Sequence, residues 1–459
     1  MSGIGLISAL DVAVSGMFVS QMATQVINHN IANANTPGYS RQFLRIGSQD
    51  PLQVTYGSIG RGATSLGVER AQNDFLQQQL VDQSALLGDY TAMDGTLRSV
   101  EEVLGGLDND RIRTAMGEFF EAWQGLSLDT NSDGAREAVV GATANLARQF
   151  NQIDSSLAQI ERDTRDTFEA YVTDVNAMLN RVADLNGRIV AESAGGHRPN
   201  DLMDQRQQVL DALAETTRFT TNERGDGSVD VMIEGRAVVT RSHVNELRVQ
   251  ESTTADGGRV QEAVFGGKNP VVVPFQAGAL AGYQRMSNDM VPGIRAQLDE
   301  LASEIIRRVN DLHESGVTAE GVGVSLFNGN SAATMSINEA VANNNRLVAA
   351  GRDGTPGDNT LAKDIANLGA TVVDGHDRSL DDMYFTFIGG VANDRGLYDS
   401  LLSGQQGIVE SARTRLEAEK GVNIDEELAN LVIYQRSYEA NARVVRAVDE
   451  MLATLVGII

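Results

Sequence analysis

The stretch that decides the fold is residues 27–42, "INHNIANANTPGYSRQ". A helical pattern runs into it and stops at "TPGY", residues 36–39, because Pro37 disfavours helical geometry in the residue before it and Gly38 permits a turn. The four asparagines of this stretch suit a helix C-terminus and turns that are capped by side chains. The sequence therefore predicts that a long first helix ends here and that the chain then changes direction.

The helix before this turn carries a narrow apolar stripe. Its members recur at alternating spacings of four and three residues, which is the pattern of one face of a coiled-coil-like helix. They are Leu6, Leu10, Ala13, Met17, Ser20, Thr24, Ile27 and Ile31. The middle of the stripe is small or polar, so this helix is weakly specified on its own.

The C-terminal segment has the clearest helical pattern. Asn423, followed three residues later by Glu426, predicts a capping box, and a helix from Ile424 to the end would be about 54 Å long. Its stripe has the same alternation of four and three, at Leu431, Tyr434, Tyr438, Asn441, Val445, Val448, Leu452, Leu455 and Ile459. We interpret Tyr434 and Tyr438, at helical spacing, as part of a packed seam.

Neither terminal helix can bury its stripe alone. The two can pair with each other and with the ends of neighbouring copies, so the sequence predicts an assembly subunit. The subunit-packing residues would be the large members of the two stripes, Leu6, Leu10, Met17, Ile27, Ile31, Leu431, Tyr434, Tyr438, Val445, Val448, Leu452 and Leu455.

The predicted fold class is mainly α, with long coiled-coil-like helices from both chain ends and a β-rich insertion in the middle. No proline falls between Pro51 and Pro199, which permits long helices there. We expect helix from Glu69 to a break at Gly105-Gly106, a second helix over 112–123, a long helix from Ala135 to about Ser193, and another from about Gly278. Residues 41–68 have the pattern of extended chain, and helix resumes near Leu397.

Three regions follow from this pattern. Residues 1–35 and 423–459 would form the core of terminal helices, and residues 36–215 and 279–422 a helical rod, in which 316–395 has no clear assignment. Residues 216–278 alternate apolar and polar side chains around glycine turns, which predicts a β-rich outer domain.

The chain is acidic and has no cysteine. Its 62 acidic and 37 basic residues give a formal net charge of −25, which disfavours binding to nucleic acid or to an anionic membrane surface. The absence of cysteine excludes disulfides and thiolate metal sites. We predict no bilayer span, which needs about 20 apolar residues, and no Sec signal, because the first basic residue is Arg41.

Partial motifs for metal binding are incomplete. "DTNSDG", residues 129–134, begins like a calcium loop, but the twelfth position is Val140 instead of glutamate, so a polar turn before the next helix fits better. His313-Glu314 begins like a zinc-protease motif, but the second histidine is replaced by Val317. Acidic pairs such as Asp381-Asp382 are interpreted as solvated surface. No P-loop, nucleophile elbow or dinucleotide fingerprint is present. The sequence predicts no catalytic, cofactor or metal site.

Two terminal segments together resemble a known family. "ALDVAVSGM" (9–17) with the turn motif, and "GVNIDEELANLVIYQRSYEANARVVRAVDEML" (421–452), are similar to the paired terminal signatures of the bacterial flagellar axial proteins. The turn of that family corresponds here to Ala32, Asn33, Thr36, Pro37, Gly38 and Tyr39. "RPNDLMDQRQQVLDALAE" (198–215) and "GYSRQ" look like the hook–filament junction branch, and a hook or rod subunit is the alternative within the family.

The resemblance implies a non-enzymatic structural protein that is exported through the flagellar type III apparatus and polymerises outside the cell. Implied partners are further copies in a tubular lattice, the hook protein, a second junction protein (hook-associated protein 3) and an export chaperone. The chaperone would hold the C-terminal helix through Leu431, Tyr438, Val445, Leu452 and Leu455. An enzyme built on an axial scaffold is the alternative from another class. Longer relatives in the family suggest that an additional outer domain is missing here.

Overall fold

The structure is a computed structural model that describes residues 2–54, 57–105, 111–196, 198–253, 259–266, 270–372 and 377–457. The first helix, α1, spans Ser2–Asn33 and ends where the sequence predicts. The amide of Thr36 donates to the carbonyl of Asn33 (2.9 Å), and Gly38 has a φ of 75°, which few residues other than glycine adopt readily.

An antiparallel hairpin follows α1. Its long arms are β1 (Gln42–Ser48) and β4 (Ala63–Arg70), and a smaller pair, β2 (Leu52–Val54) and β3 (Gly57–Ile59), lies between them in sequence. The hairpin runs back along α1, since the Ala63 amide donates to Ser15 Oγ (3.2 Å). Extended chain is confirmed here.

Four helices form the first part of the rod, and the first three of them lie in the proline-free stretch between Pro51 and Pro199. They are α2 (Asp74–Leu104), α3 (Arg111–Leu128), α4 (Asp133–Ser193) and α5 (Asn200–Thr216). The predicted start at Glu69 is wrong, because strand β4 continues to Arg70 and Asn73 then caps α2 through its contact with the Leu76 amide (3.1 Å). The turn before α4 is a polar cap, with Ser132 Oγ accepting from the Ala135 amide.

The β-rich region consists of two antiparallel sheets. The first is a four-stranded meander of β5 (Phe219–Glu223), β6 (Val229–Ile233), β7 (Arg236–Thr240) and β8 (His243–Val244). The second has three strands, β9 (Leu247–Thr253), β10 (Arg259–Phe265) and β11 (Val271–Val272). Alternate residues of β6 are buried in one core with apolar residues of α4 and α5, so the sheets are fastened to the rod.

The chain then returns to the rod through α6 (Ala279–Arg285), a π-helical turn (Met286–Met290) and α7 (Val291–Glu314). The segment without a sequence assignment contains two small hairpins and two short helices. These are β12 (Val317–Thr318), β13 (Gly321–Val322), β14 (Phe327–Asn328), β15 (Ser336–Ile337), α8 (Glu339–Asn343) and α9 (Thr360–Ala366). They close the largest apolar core of the molecule against α3 and α7.

A 41-residue helix, α10, spans Leu380–Lys420. The prediction that helix resumes near Leu397 is wrong by about five turns. Ser379 Oγ accepts from the Asp382 amide (3.0 Å) and Asp382 Oδ2 accepts from the Ser379 amide (3.3 Å), which makes a capping box. The interpretation of Asp381-Asp382 as solvated surface therefore misses the structural role of Asp382.

The last helix, α11 (Ile424–Gly457), lies antiparallel to α1. Ser20 donates to Ser437 (3.3 Å), and Asn30 contacts Glu427 (3.1 Å) nearer the start of α11. Long terminal helices and a β-rich middle confirm the predicted fold class. Only one of the two hydrogen bonds of the predicted capping box is formed: the Glu426 amide donates to Asn423 Oδ1 (3.3 Å). The Glu426 carboxylate accepts from Arg41 instead.

Part of α1, Gly5–Asn33, is long and apolar enough to cross a membrane by length and composition, with a mean hydropathy of 1.5. The prediction that the chain contains no such run is therefore wrong. The run is hard to recognise in the sequence because many of its residues are small or weakly polar; Asp11 is its one residue of the Asp, Glu, Lys and Arg types. In the structure the helix packs against α11 and the hairpin.

Candidate assembly site

The side chain of Asn30 joins three parts of the chain at the end of α1. Its Oδ1 accepts from the Gln42 amide (2.9 Å) and from the Tyr39 hydroxyl (2.8 Å). Its Nδ2 donates to the Gln42 carbonyl (2.8 Å) and to Glu427 Oε2 (3.1 Å). One buried amide thus uses donor and acceptor together to connect the turn, the hairpin and α11.

Arg41 fastens the start of the hairpin to the junction between α10 and α11. Its amide donates to the Lys420 carbonyl (2.8 Å), Nε donates to Glu427 Oε1 (2.7 Å), and Nη2 donates to Glu426 Oε1 (3.1 Å). The side chain of Glu427 is 2% exposed, so this carboxylate depends on its partners for the hydrogen bonds that water would supply. Burial alone lowers the pKa of Arg41, but the hydrogen bond and charge of Glu427 raise it overall.

In addition to the contacts made by Asn30 and Arg41, helix α5 also contacts the turn. Asp204 accepts from the Ser40 amide (3.0 Å) and from Arg70 Nη1 (3.0 Å), and Gln208 Nε2 donates to the Pro37 carbonyl (2.8 Å). The motif at 198–215 and the turn motif at 36–39, more than 150 residues apart in sequence, therefore form one joint.

The turn itself is held by short-range contacts. Asn33 Nδ2 donates to the His29 carbonyl (3.0 Å), and Thr36 Oγ1 donates to Asn33 Oδ1 (3.2 Å). Burial, and then the charges of nearby carboxylates, raise the pKa of Tyr39 well above its ordinary value, so its hydroxyl stays a donor. Ala32 and Pro37 are exposed beside this network.

The predicted stripes of α1 and α11 meet within one chain. Those members that are described are buried or half-buried, apart from the exposed Tyr438, whereas the side chain of Leu455 lies outside the described part. They are Leu6, Leu10, Met17, Ile27 and Ile31 on α1, and Leu431, Tyr434, Val445, Val448 and Leu452 on α11. Their part in contacts between subunits stays a prediction.

Each terminal helix carries a second apolar stripe that its partner does not cover. On α1 it consists of Ile7, Val14 and Phe18, with the exposed Asp11 on the same side between Ile7 and Val14. On α11 it consists of Ile433, Val444 and Met451, where the exposed Ala440 and Ala447 fill the spacing. Phe18 is 59% exposed and Ile433 is 60% exposed. Sequence reasoning missed these residues, although their spacings of seven, four and three are a signal for a helix face.

The two terminal helices differ in how many charged residues they carry and where these lie. Residues 2–40 contain one residue of the Asp, Glu, Lys and Arg types, Asp11, so most of the circumference of α1 can be buried without burying one of these charges. Helix α11 instead has a polar face on the side away from both of its apolar stripes. The charged residues of that face are Arg436, Glu439, Arg443, Arg446 and Glu450, all exposed.

No group of three or more His, Asp or Glu side chains that could hold a metal ion occurs among the residues that the structure describes. His313 is fully buried in α7, where Nε2 accepts from the Ala349 amide (3.1 Å) and Nδ1 donates to the Val324 carbonyl. Burial lowers the pKa of His313. Its role is structural, since it hydrogen-bonds two loop segments to α7.

Three family models match successive parts of the chain. Residues 97–327, which are 231 of the 459, match the flagellar hook-associated protein FlgK helical domain. Residues 10–39 match the flagella basal body rod protein, and residues 418–458 match the flagellar basal body rod FlgEFG protein C-terminal domain.

Curated relatives match over nearly the whole chain. Flagellar hook-associated protein 1 of Bacillus subtilis is 25% identical and covers 98% of this chain and 97% of its own length. The protein of the same name from Escherichia coli is 22% identical, covering 98% of this chain and 100% of its own length. The second alignment extends over 548 positions, against 459 residues here, so that relative contains additional residues.

A solved structure shares the fold. The flagellar hook junction protein FlgK from Burkholderia pseudomallei aligns with a TM-score of 0.64 and 12% sequence identity. The alignment covers 74% of this chain and 99% of that one.

Proposed function

Because the chain belongs to the flagellar hook-associated protein FlgK family, we propose that the pair of α1 and α11 is the element through which it polymerises as the structural junction between hook and filament. The observation that carries the proposal is the second apolar stripe on each helix, which remains uncovered after the two helices have paired. Large apolar side chains exposed along one side of a helix are typical of a protein interaction site.

Energetics favour covering these stripes by neighbouring copies. Burying one large apolar side chain contributes roughly 1.5–3 kcal/mol, and the two stripes together offer six such side chains. Each subunit can place the stripe of α1 or α11 against helices of the next subunits, as a tube of paired helices requires. The polar face of α11 then remains for contact with water.

The proposed partners beyond further copies are the hook protein and the second junction protein, hook-associated protein 3. We propose a location outside the cell and a role without catalysis. A hook or rod subunit is the alternative, since rod-protein models match both chain ends. The match of half the chain to the FlgK helical domain favours the junction.

An export chaperone at the C-terminal helix is a further part of the proposal. Leu431, Tyr438, Val445, Leu452 and Leu455 would supply its anchors, because an apolar helix face that awaits assembly is an aggregation hazard and fits a groove. In the folded chain α1 partly covers the described members of this set other than Tyr438. The chaperone would therefore bind before α1 and α11 pair.

Calorimetric titration of the chaperone against the full chain and against a chain truncated after Gly421 tests this part of the proposal. We expect the truncated chain to lose the binding. Undiminished affinity would place the chaperone elsewhere on the chain.

The junction role is tested in cells that lack the protein. They should build hooks, lack attached filaments and release filament protein into the medium. Complementation with Ile433→Asp should leave the defect in place, because the substitution puts an unpaired charge into the proposed interface. Gln435→Asp, at an exposed position on another side of α11, is the matched control and should restore filaments.

Two outcomes would contradict the proposal. Cells without hooks would indicate a hook or rod role. Normal filaments with Ile433→Asp would show that the second stripe of α11 is not an interface.

A further inference from the structure

A cavity lies where the rod meets the first β-sheet, and its wall contains a buried guanidinium group. The cavity has a volume of about 490 Å³ and is formed by the end of β4, the start of α2, α5 and the strands β5 and β6. Arg206 of α5 lines it and is only 2% exposed. The cavity is thus in the size range of sites for small ligands and has a charged group in its wall.

Arg206 uses one of its three side-chain nitrogens to bind the rest of the chain. Nη1 donates to Asn186 Oδ1 (2.8 Å) and to the Gly227 carbonyl (2.7 Å), which connects α5 to α4 and to the turn between β5 and β6. Among the residues that the structure describes, Nε and Nη2 have no acceptor, and no carboxylate forms an ion pair with this guanidinium. A buried charge without a partner is costly, and the N–H groups of Nε and Nη2 lie side by side, as bidentate binding of a carboxylate or phosphate requires.

Arg70 adds a second guanidinium to the same wall. Its Nη1 donates to Asp204 (3.0 Å), and its Nε donates to Gln72 Oε1 (3.2 Å). Burial, and then the charge of Arg70, lower the pKa of Arg206 to about 10, whereas the charge of Glu223 raises it. Arg206 is therefore still charged at neutral pH, and an anion in the cavity would offset the repulsion between the two guanidinium groups.

The acidic residues of the wall do not take the place of this anion. Asp74 and Glu223 also line the cavity, but both are exposed, and Glu223 is paired with Arg198 (3.5 Å). Thr221 and Asn222 of β5 add a hydroxyl and a carboxamide to the wall, and both groups can donate to further oxygens of a ligand. The wall thus favours an anion with several oxygen acceptors.

We propose that this cavity binds a small organic anion, whose carboxylate or phosphate group is held by Nε and Nη2 of Arg206. Val81, Leu210 and Phe219 supply an apolar side for the carbon atoms of such a ligand. The site lies outside the terminal helices, so the proposal does not depend on the proposed polymerisation. Because α2, α5, β5 and β6 all contribute to the wall, a bound anion would fasten the sheet to the rod and stabilise the folded chain.

Isothermal titration calorimetry of the full-length monomer with succinate and with glycerol phosphate tests the site. Sodium chloride at matched ionic strength is the reference, because added salt also screens the charges of this acidic chain. Thr221→Glu places a carboxylate in the cavity, where it competes with the ligand. Thr220→Glu is the matched control, since it makes the same change on the same strand, at an exposed position on the other side.

We expect the parent chain and Thr220→Glu to bind at least one probe with a Kd of about 1 mM or lower, and Thr221→Glu to bind it about tenfold more weakly. Binding of succinate alone would support a carboxylate ligand, and binding of glycerol phosphate alone a phosphate ligand. Heats equal to those of sodium chloride for both probes would overturn the site. Equal affinity of the two glutamate variants would overturn it as well, since the anion would then bind elsewhere.

Arg206→Lys distinguishes the paired N–H groups from positive charge alone. Lysine keeps the charge but cannot bind an anion with two parallel N–H groups, so we expect binding to weaken about fivefold. Unchanged affinity in this variant would refute the role of Arg206. Circular dichroism shows whether the variant folds; if it does not, the comparison of Thr221→Glu with Thr220→Glu decides.

Discussion

Gly16 of α1 and Asn441 of α11 lie in direct contact, and a Cβ added to Gly16 would come 2.7 Å from the side-chain amide nitrogen of Asn441. One turn along α1, Ser20 donates to Ser437 (3.3 Å). Apolar side chains alone allow two helices to slide past each other, whereas a close approach combined with a polar contact permits one alignment. These two pairs therefore define the register of the terminal helices.

Gly16→Leu should separate the two helices, because the new side chain would occupy the space of Asn441. We expect limited proteolysis of the monomer to remove both terminal helices at least several-fold faster than in the parent chain, since the cleavage rate follows the population of the open state. Gly5→Leu is the control, as a Cβ at Gly5 meets nothing within 4 Å. Equal cleavage of the Gly16 variant and the parent chain would refute the assignment of register.

Arg41→Gln should destabilise the joint between the terminal helices and the rod by about 2–3 kcal/mol, because the buried Glu427 carboxylate loses a charge-assisted hydrogen bond. The free energy of unfolding from denaturant titration measures the loss. Arg45→Gln, four residues further along the chain in β1, removes a more exposed ion pair, with Glu69, and should change stability by less than about 1 kcal/mol. Similar losses for both variants would show that burial of Glu427 is unimportant.

Stability should fall as the pH drops from 7 to 5, and His313 should contribute to the fall. Burial lowers its pKa in the folded chain, so the unfolded chain takes up a proton near pH 6.5 while the folded chain does not. The stability contribution is thus complete above that pH and is lost below it, by at most about 1.4 kcal/mol per pH unit. Thermal unfolding at both pH values measures the change.

His313→Gln should reduce this pH dependence, because glutamine does not titrate. An unchanged slope in the His313 variant would mean that other groups account for the acid sensitivity.

Leu452→Asp should prevent polymerisation without unfolding the rod, because it introduces an unpaired charge into the seam at a cost of several kcal/mol. Electron microscopy of cells that express the variant, with circular dichroism of the purified chain, measures both effects. Thr454→Asp, two residues away at an exposed position, is the control. Normal filaments in the Leu452 variant would show that the seam is misassigned.

Local signals in the sequence predict much of this structure. The four-and-three spacing places Ser20 and Asn441 in the stripes despite their polarity, and the structure brings both into the seam. Proline-free sequence predicts α4 almost to the residue, and the turn at Pro37 ends α1 as expected. In each of these cases the pattern that allows the prediction lies within one short segment of the sequence.

Other features depend on residues that are distant in sequence. That Asp204 would bind Ser40, or that Glu427 would bind Arg41, does not follow from either segment alone. Glycines conceal the first half of α10, because they weaken the helical pattern while Ser379 and packing on α2 maintain the helix. The second stripes do not stand out in the sequence, because one apolar face per helix already accounts for the packing of α1 on α11.

The antiparallel pairing of α1 with α11 has a kinetic consequence. Ser20 and Ser437 are 417 positions apart, so their contact closes a loop that includes nearly the whole chain. Contacts between residues so far apart in sequence form late in folding, because the chain loses the entropy of loop closure before the contact contributes any favourable free energy. The rod can form earlier, because it is built from helices that are neighbours in sequence. When the chain emerges N-terminus first, α1 remains unpaired until α11, the last helix, has emerged. The order of emergence alone thus delays formation of the α1–α11 pair until the rest of the molecule has had the chance to fold.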